Sequence, residues 1–131
     1  MPVALPDETK EILDRRVFAH VSTLNPDGSP HSSVVWVERR GYLIVFSTTE
    51  GRIKARNLSG DDRVALSFTD PDDSYRAVSI QGCVISMEKN GPALINRLAR
   101  RYVGPEKAAE YISPGERIDV TIAPERISAQ I

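Results

Sequence analysis

The chain has 131 residues, 40% of them hydrophobic, which is enough for one domain with a buried core that needs no metal or disulfide. Its 17 basic and 18 acidic residues give a net charge of −1, which argues against a general nucleic-acid-binding surface. The single cysteine, Cys83, excludes an internal disulfide and a multi-cysteine metal site, and we expect it to be a small core residue. No run of about 18 apolar residues predicts a membrane span, and the N-terminus lacks a signal-peptide pattern. We therefore expect one cytoplasmic domain, residues 1–131.

The hydrophobic pattern predicts six strands, mostly antiparallel and joined by short connections. In chain order they span residues 17–24, 30–37, 42–47, 63–68, 75–88 and 118–122. Short helices are predicted over residues 7–14, 92–102 and 105–111. Gly82, inside the fifth strand, predicts a bulge or a bend at a barrel corner. This order of elements predicts a mainly β protein, a small antiparallel β-barrel with short flanking helices.

A cluster of hydroxyl residues follows the third predicted strand. Ser47, Thr48 and Thr49 are residue types that cap helices, and Ser47 with Glu50 has the spacing of a capping box. We therefore predict that a helix begins at this cluster. Such a strand-to-helix turn offers free backbone N–H groups and a positive dipole end to an anion.

Three basic residues come next, Arg52, Lys54 and Arg56, with no acidic residue between them. On a helix Arg52 and Arg56 would face the same way, and this like-charge pair is unfavourable unless an anion lies beside it. The pattern is compatible with a solvated basic helix face. The hydroxyl residues in front of it favour a phosphate site.

The remaining candidates are two histidines and a tryptophan. His20 lies mid-strand and is expected to pack in the core, whereas His31 follows a turn and could donate a proton to a substrate. Trp36 could form an apolar wall for a ring-shaped ligand or pack in the core. The sequence contains no Ser-His-Asp order and no clustered metal ligands, so no metal site is predicted.

The motifs of the chain resemble those of the pyridoxamine-phosphate-oxidase-like split β-barrel family, over about residues 8–128. The matching segments are Ser22-Thr23-Leu24 with Gly28 and Pro30, then Phe46-Ser47-Thr48-Thr49, Lys54, Arg56-Asn57-Leu58 and Arg63-Val64-Ala65-Leu66. The spacing from Gly51 to Leu58 is most similar to the branch that uses the deazaflavin coenzyme F420, although relatives that bind FMN share the hydroxyl-then-lysine pattern.

The resemblance implies a six-stranded split barrel and a homodimer with cofactors in clefts at the subunit interface. It implies that the hydroxyl cluster and the basic residues approach the cofactor's phosphate and ribityl chain, and that residues 30–36 flank its ring. The implied cofactor-binding residues are Pro30, Ser33, Val34, Trp36, Ser47, Thr48, Thr49, Gly51, Arg52, Lys54, Arg56 and Asn57. For Asn57 we expect a structural cap, although the family shares this residue.

The function implied by the resemblance is an F420-dependent reductase that transfers a hydride to a conjugated double bond of a small organic substrate, with His31 as a candidate catalytic proton donor. Two alternatives stay open: an FMN-binding oxidoreductase, and a non-catalytic protein that binds haem or another tetrapyrrole. Whether Arg97, Arg100 and Arg101 contact the cofactor's acidic tail also stays open at this stage.

Overall fold

A computed structural model describes residues 2–130, which form one antiparallel sheet flanked by short helices. The strands are β1 (Phe18–Leu24), β2 (Pro30–Trp36), β3 (Glu38–Arg40), β4 (Leu43–Thr49), β5 (Arg63–Asp70), β6 (Asp73–Glu88) and β7 (Arg117–Gln130). The helices are α1 (Asp7–Leu13), α2 (Ile53–Gly60) and α3 (Ala93–Val103), followed by a short 3₁₀ helix, Ala108–Tyr111. The strand order β2-β1-β5-β6-β7-β4-β3 confirms the mainly β, antiparallel split-barrel fold.

The main core is enclosed by the curved sheet, because alternate side chains of each strand point to one face. Phe46 of β4, Leu66 of β5 and Ile80 of β6 are almost completely buried there. Residues Ile12 and Leu13 of α1 close one side of this core. The alternating apolar residues that predicted the strands are therefore the residues whose side chains fill the barrel core.

A second, smaller cluster lies on the outer face of β4. Val45 points away from the barrel core and packs with Leu94, Leu98 and Tyr102 of α3. The apolar residues of α3 recur at i, i+4 and i+8, so one face of the helix can cover this strand. α3 thus forms a wall on the outside of the barrel, which is where the candidate site lies.

Two expectations about this region are wrong. The described residues contain seven strands rather than six, because Glu38–Arg40, expected to be part of a turn, pairs with β4 as the short strand β3. The hydroxyl cluster does not cap a helix: Ser47 and Thr49 remain in β4, hydrogen-bonded to β7. α2 begins at Ile53 with Arg52 at its N-cap position and without a side-chain cap. Pairing with β7 gives these residues a full ladder of backbone hydrogen bonds, which outweighs one capping box.

The predicted irregularity at Gly82 is confirmed, since the β6–β7 register shifts between Gln81 and Gly82. A Cβ at Gly82 would collide with the carbonyl oxygen of Ala123, so only glycine allows this close approach. His20, expected in the core, is exposed instead, and Cys83 is only partly buried. Within residues 2–130 no helix is long and apolar enough to cross a membrane.

Candidate functional site

An open cavity of about 320 Å³ lies between β2, the outer face of β4 and α3. It combines an apolar and aromatic side with a hydroxyl-rich and basic side. Its lining residues are Phe18, Val34, Val35, Trp36, Ser47, Thr48, Thr49, Arg52, Lys54, Ile95, Leu98, Tyr111, Ser113 and Arg117.

The aromatic side is built on Trp36 at the end of β2. The indole stacks on the ring of Tyr102 at a centroid distance of 5.2 Å and an angle of 19°, and Tyr111 lies 6.4 Å away on a tilted plane. The Tyr102 hydroxyl donates to the carbonyl of Val17 at 2.8 Å and accepts from the N–H of Val37 at 3.2 Å. These bonds fix the ring of Tyr102, which in turn fixes the plane of Trp36. The wall is therefore preformed for a flat ring system.

The basic side consists of Arg52, Lys54 and Arg117. Arg52 Nε donates to Thr49 Oγ1 at 3.2 Å, and a guanidinium N–H of Arg117 donates to the carbonyl of Ser113 at 2.8 Å. Among residues 2–130 no carboxylate forms an ion pair with any of these three cations. Burial, followed by the charge of Arg52, lowers the pKa of Lys54, and the same two causes lower the pKa of Arg117. A bound anion would remove this electrostatic cost.

Several buried polar atoms in the cavity have no hydrogen-bond partner. They are Ser47 Oγ, Thr48 Oγ1 and the Nε of Arg117. Buried polar groups in native proteins nearly always have a partner, and a group of unpaired ones in a cavity indicates a site for a ligand or ordered water. Hydroxyls, cations and a flat aromatic wall fit the phosphate, sugar chain and ring of a flavin-type cofactor.

Seven of the residues expected to bind a cofactor line this cavity: Val34, Trp36, Ser47, Thr48, Thr49, Arg52 and Lys54. Arg56 lies elsewhere, exposed in a separate depression beside Asn25 and Asp27. Because Arg52 precedes α2 rather than lying within it, Arg52 and Arg56 do not share a helix face. The expectation that Arg52 and Arg56 face one anion from the same side of a helix therefore has no support in this structure.

Other expected residues also lie outside the lining. Pro30 borders a different depression, and Gly51 and Ser33 border none of the depressions described in this part of the chain. Asn57 is buried and donates to Thr23 Oγ1 at 3.0 Å and to the side-chain oxygen of Asn25 at 2.9 Å. These bonds tie α2 to β1, which matches the structural alternative for Asn57.

His31 lies on the face of β2 that turns toward the barrel core, and of this face only Val35 borders the cavity. It shares its side of the strand with Val35 of the barrel core, whereas Val34 and Trp36 point the other way. Its Nδ1 is buried without a partner. In this structure His31 does not line the cavity, so the role of proton donor stays a prediction with no geometric support.

The three arginines of α3 differ in their surroundings. Arg97 makes two bonds to the carboxylate of Glu38, at 2.7 and 3.0 Å. The guanidinium of Arg101 donates to backbone carbonyls at the end of α1, and Arg100 is exposed. Arg97 and Arg101 therefore hold α3 against the barrel, and none of the three arginines lines the cavity.

Reasoning from the sequence missed six lining residues: Phe18, Ile95, Leu98, Tyr111, Ser113 and Arg117. Arg117 was the most informative omission, since it supplies one of the three cations. It lies far from the basic motif in the chain and reaches it only because β7 pairs with β4. The alternation of polar residues Arg117, Asp119 and Thr121 with apolar ones was the available signal.

Fold and cavity thus define a split-barrel protein whose cavity has a basic, hydroxyl-rich side next to an aromatic wall. Residues 5–130 match the family described as pyridoxamine 5'-phosphate oxidase, and the chain belongs to that family. Comparison with curated proteins returned no match.

Solved structures extend this assignment. One described as an F420 reductase is 29% identical, with a TM-score of 0.83, covering 95% of this chain and 98% of that one. A conserved hypothetical protein from Mycobacterium tuberculosis is 24% identical, with a TM-score of 0.74, covering 98% and 86%. HutZ, a haem storage protein from Vibrio cholerae, is 17% identical, with a TM-score of 0.72, covering 98% and 96%. The last two likenesses show the fold alone.

Proposed function

We propose that this protein is an F420-dependent reductase that transfers a hydride to a conjugated double bond of a small organic substrate. The observation that carries the proposal is a group of three cations, Arg52, Lys54 and Arg117, which have no carboxylate partner among residues 2–130 and share one cavity with the stacked wall of Trp36. The similarity to a structure described as an F420 reductase supports the choice of deazaflavin.

The chain's own residues would bind and orient the cofactor. Arg52, Lys54 and Arg117 would hold the phosphate through charge-assisted hydrogen bonds, and Val34 and Trp36 would flank the ring. When bound, the deazaflavin supplies the hydride, so the protein needs no nucleophile. Ile95 and Leu98 of α3 give the cavity an apolar side that limits the access of water.

FMN is the alternative cofactor, because its phosphate and ring suit the same two sides of the cavity. Haem is less well suited, since none of the cavity-lining residues in the described part of the chain is a histidine. The deciding experiment is equilibrium binding of F420 and FMN measured side by side. It is paired with oxidation of each reduced cofactor by a panel of enones, lactones and tetrapyrroles.

We expect tighter binding of F420 and oxidation of reduced F420 by at least one acceptor. Tighter binding of FMN, with turnover only from reduced FMN, would replace the proposal with the FMN alternative. Binding of neither cofactor would contradict both.

The proton that completes the reduction is expected to come from solvent, since His31 does not line the cavity. His31→Ala should therefore keep both the turnover and the cofactor affinity of the wild type within about twofold. A large fall in turnover with unchanged affinity would instead assign the proton to His31.

A further inference from the structure

The outer face of β4 and β7 changes its charge along the cavity. Thr49 lies directly opposite Arg117, and one step further along the ladder Ser47 lies opposite Asp119. Directly opposite residues of antiparallel strands share a face, with Cβ atoms about 4.5–5.5 Å apart. A cation and a carboxylate therefore follow each other on one strand, about 7 Å apart.

Asp119 is a carboxylate with an unused oxygen. It is 9% exposed, its Oδ1 has no hydrogen-bond partner, and its Oδ2 accepts a long bond of 3.4 Å from Asn90. Asn90 also donates to Glu88, the neighbour of Asp119 on β6. Arg97 of α3 donates its hydrogen bonds to Glu38 rather than to Asp119. Asp119 does not line the cavity, so any effect on a ligand must pass through another residue.

Ser47 is the residue placed to transmit that effect. It lines the cavity, it lies opposite Asp119, and its Oγ is buried without a partner. A carboxylate only accepts hydrogen bonds, whereas a hydroxyl has one proton to donate and lone pairs to accept. The two side chains are not hydrogen-bonded to each other in this structure, but their Cβ atoms are close enough for a rotation of the Ser47 side chain to let Oγ donate to Asp119 Oδ1. In that arrangement Ser47 presents only acceptor lone pairs to the cavity.

We propose that Asp119 is a positioning residue that holds the Ser47 hydroxyl as an acceptor for an O–H or N–H group of the cofactor. The phosphate then lies at the Arg117 end, one step away, because a buried carboxylate behind Ser47 disfavours an anion there. The register between β4 and β7 therefore determines that the phosphate end of the cofactor lies near Arg117 and the other end near Ser47. The identity of the ligand rests on the proposed function, but the order of the two subsites rests on the strand register.

The test compares two ligands, F420 and its phosphate-free form, which keeps the ring and ribityl chain. Ser47→Ala and Asp119→Ala should each weaken binding of both ligands by a similar factor of about 3–15, because alanine at position 119 leaves no acceptor for the Ser47 proton. The double variant should lose no more affinity than the single variant that binds more weakly, because both substitutions remove the same hydrogen bond. Arg117→Gln is the matched comparison and should weaken F420 about 10–100-fold, while the phosphate-free form changes less than about twofold.

Tighter binding of F420 by Asp119→Ala, or fully additive losses in the double variant, would overturn the inference. If Asp119→Ala does not fold, as judged by thermal unfolding, Ser47→Ala decides alone. A loss confined to F420 would place the phosphate at Ser47 and overturn the proposal, whereas an equal loss for both ligands supports it. Failure of the wild type to bind either cofactor would count against the proposed function, while normal binding without these losses would count against this inference only.

Discussion

Lys54 is a residue at which ligand binding and folding have opposite requirements. Burial, and then the positive charge of Arg52, lowers its pKa, so the charged ammonium group is unfavourable in the ligand-free fold. We expect Lys54→Met to raise the melting temperature of the ligand-free protein and to weaken cofactor binding about 10–100-fold. Calorimetry measures both effects.

Arg56→Ala is the matched control for Lys54→Met, because Arg56 is a basic residue of the same motif that is exposed outside the cavity. We expect it to change affinity less than about threefold. Equal losses in both variants would show that the phosphate is not confined to the cavity.

The lowered pKa of Lys54 also predicts a pH dependence of binding. The folded-state pKa lies below the ordinary 10.5, and the anion binds the charged form. Affinity should be full below the folded-state pKa and should fall as pH rises through it. Lys54→Arg should move this fall to higher pH, because arginine keeps its charge. Flat affinity of the wild type across the alkaline range would remove Lys54 from the phosphate site.

The free energy of unfolding of the ligand-free protein should rise with pH over the interval in which cofactor affinity falls. The unfolded chain binds the Lys54 proton more tightly than the folded one, so the charge is a cost below both pKa values. That cost disappears as pH rises from the folded-state pKa toward 10.5. Affinity and stability therefore change in opposite directions over the same pH interval.

At the scale of elements, the sequence predicted five strands to within two residues of their observed ends, but it missed β3 and the second half of β7. Alternation of apolar residues located the barrel strands because burial of one face dictates that pattern. The capping-box prediction at Ser47 failed because the local signal is weaker than the ladder that β4 forms with β7, a strand far away in sequence. The same long-range pairing brought Arg117 to the basic motif, which no local pattern of the motif itself could predict.

α3 offers the clearest test of how an element positions the site. The hydroxyl of Tyr102 joins the start of β1 at Val17 to the segment at Val37 that follows β2. Tyr102→Phe leaves the N–H of Val37 without this partner, and we expect a loss of about 1–3 kcal/mol in the free energy of unfolding. Because the ring remains stacked on Trp36, cofactor affinity should fall less than stability. Denaturant unfolding and binding titration measure the two quantities.

The control for Tyr102→Phe is Tyr111→Phe, which removes the hydroxyl of an exposed tyrosine at the same cavity. It should leave stability within about 0.5 kcal/mol of the wild type. An unchanged stability of Tyr102→Phe would mean that the three bonded segments are held together by packing alone.

At the scale of the whole molecule, one side of the cavity is open and apolar. Phe18 is 60% exposed and Val34 is 54% exposed, although both line the cavity. β2 is also an edge strand, because its other neighbour is missing from the sheet order. Val34 lies on this edge strand and Phe18 on the neighbouring strand β1, and a second subunit that covers them would remove the liability of an exposed apolar edge.

We therefore predict a two-fold homodimer in which the partner covers this side and completes the cofactor site. Light scattering should give about twice the chain mass of 14.5 kDa at micromolar concentration. If the partner completes the site, cofactor affinity per subunit should fall on dilution below the dimer dissociation constant, since binding and assembly are then linked.

Val34→Asp should shift the mass measured by light scattering toward that of the monomer, whereas Tyr75→Asp, at an exposed residue away from the cavity, should leave it unchanged. A monomer that binds the cofactor with undiminished affinity would show that one chain forms the complete site.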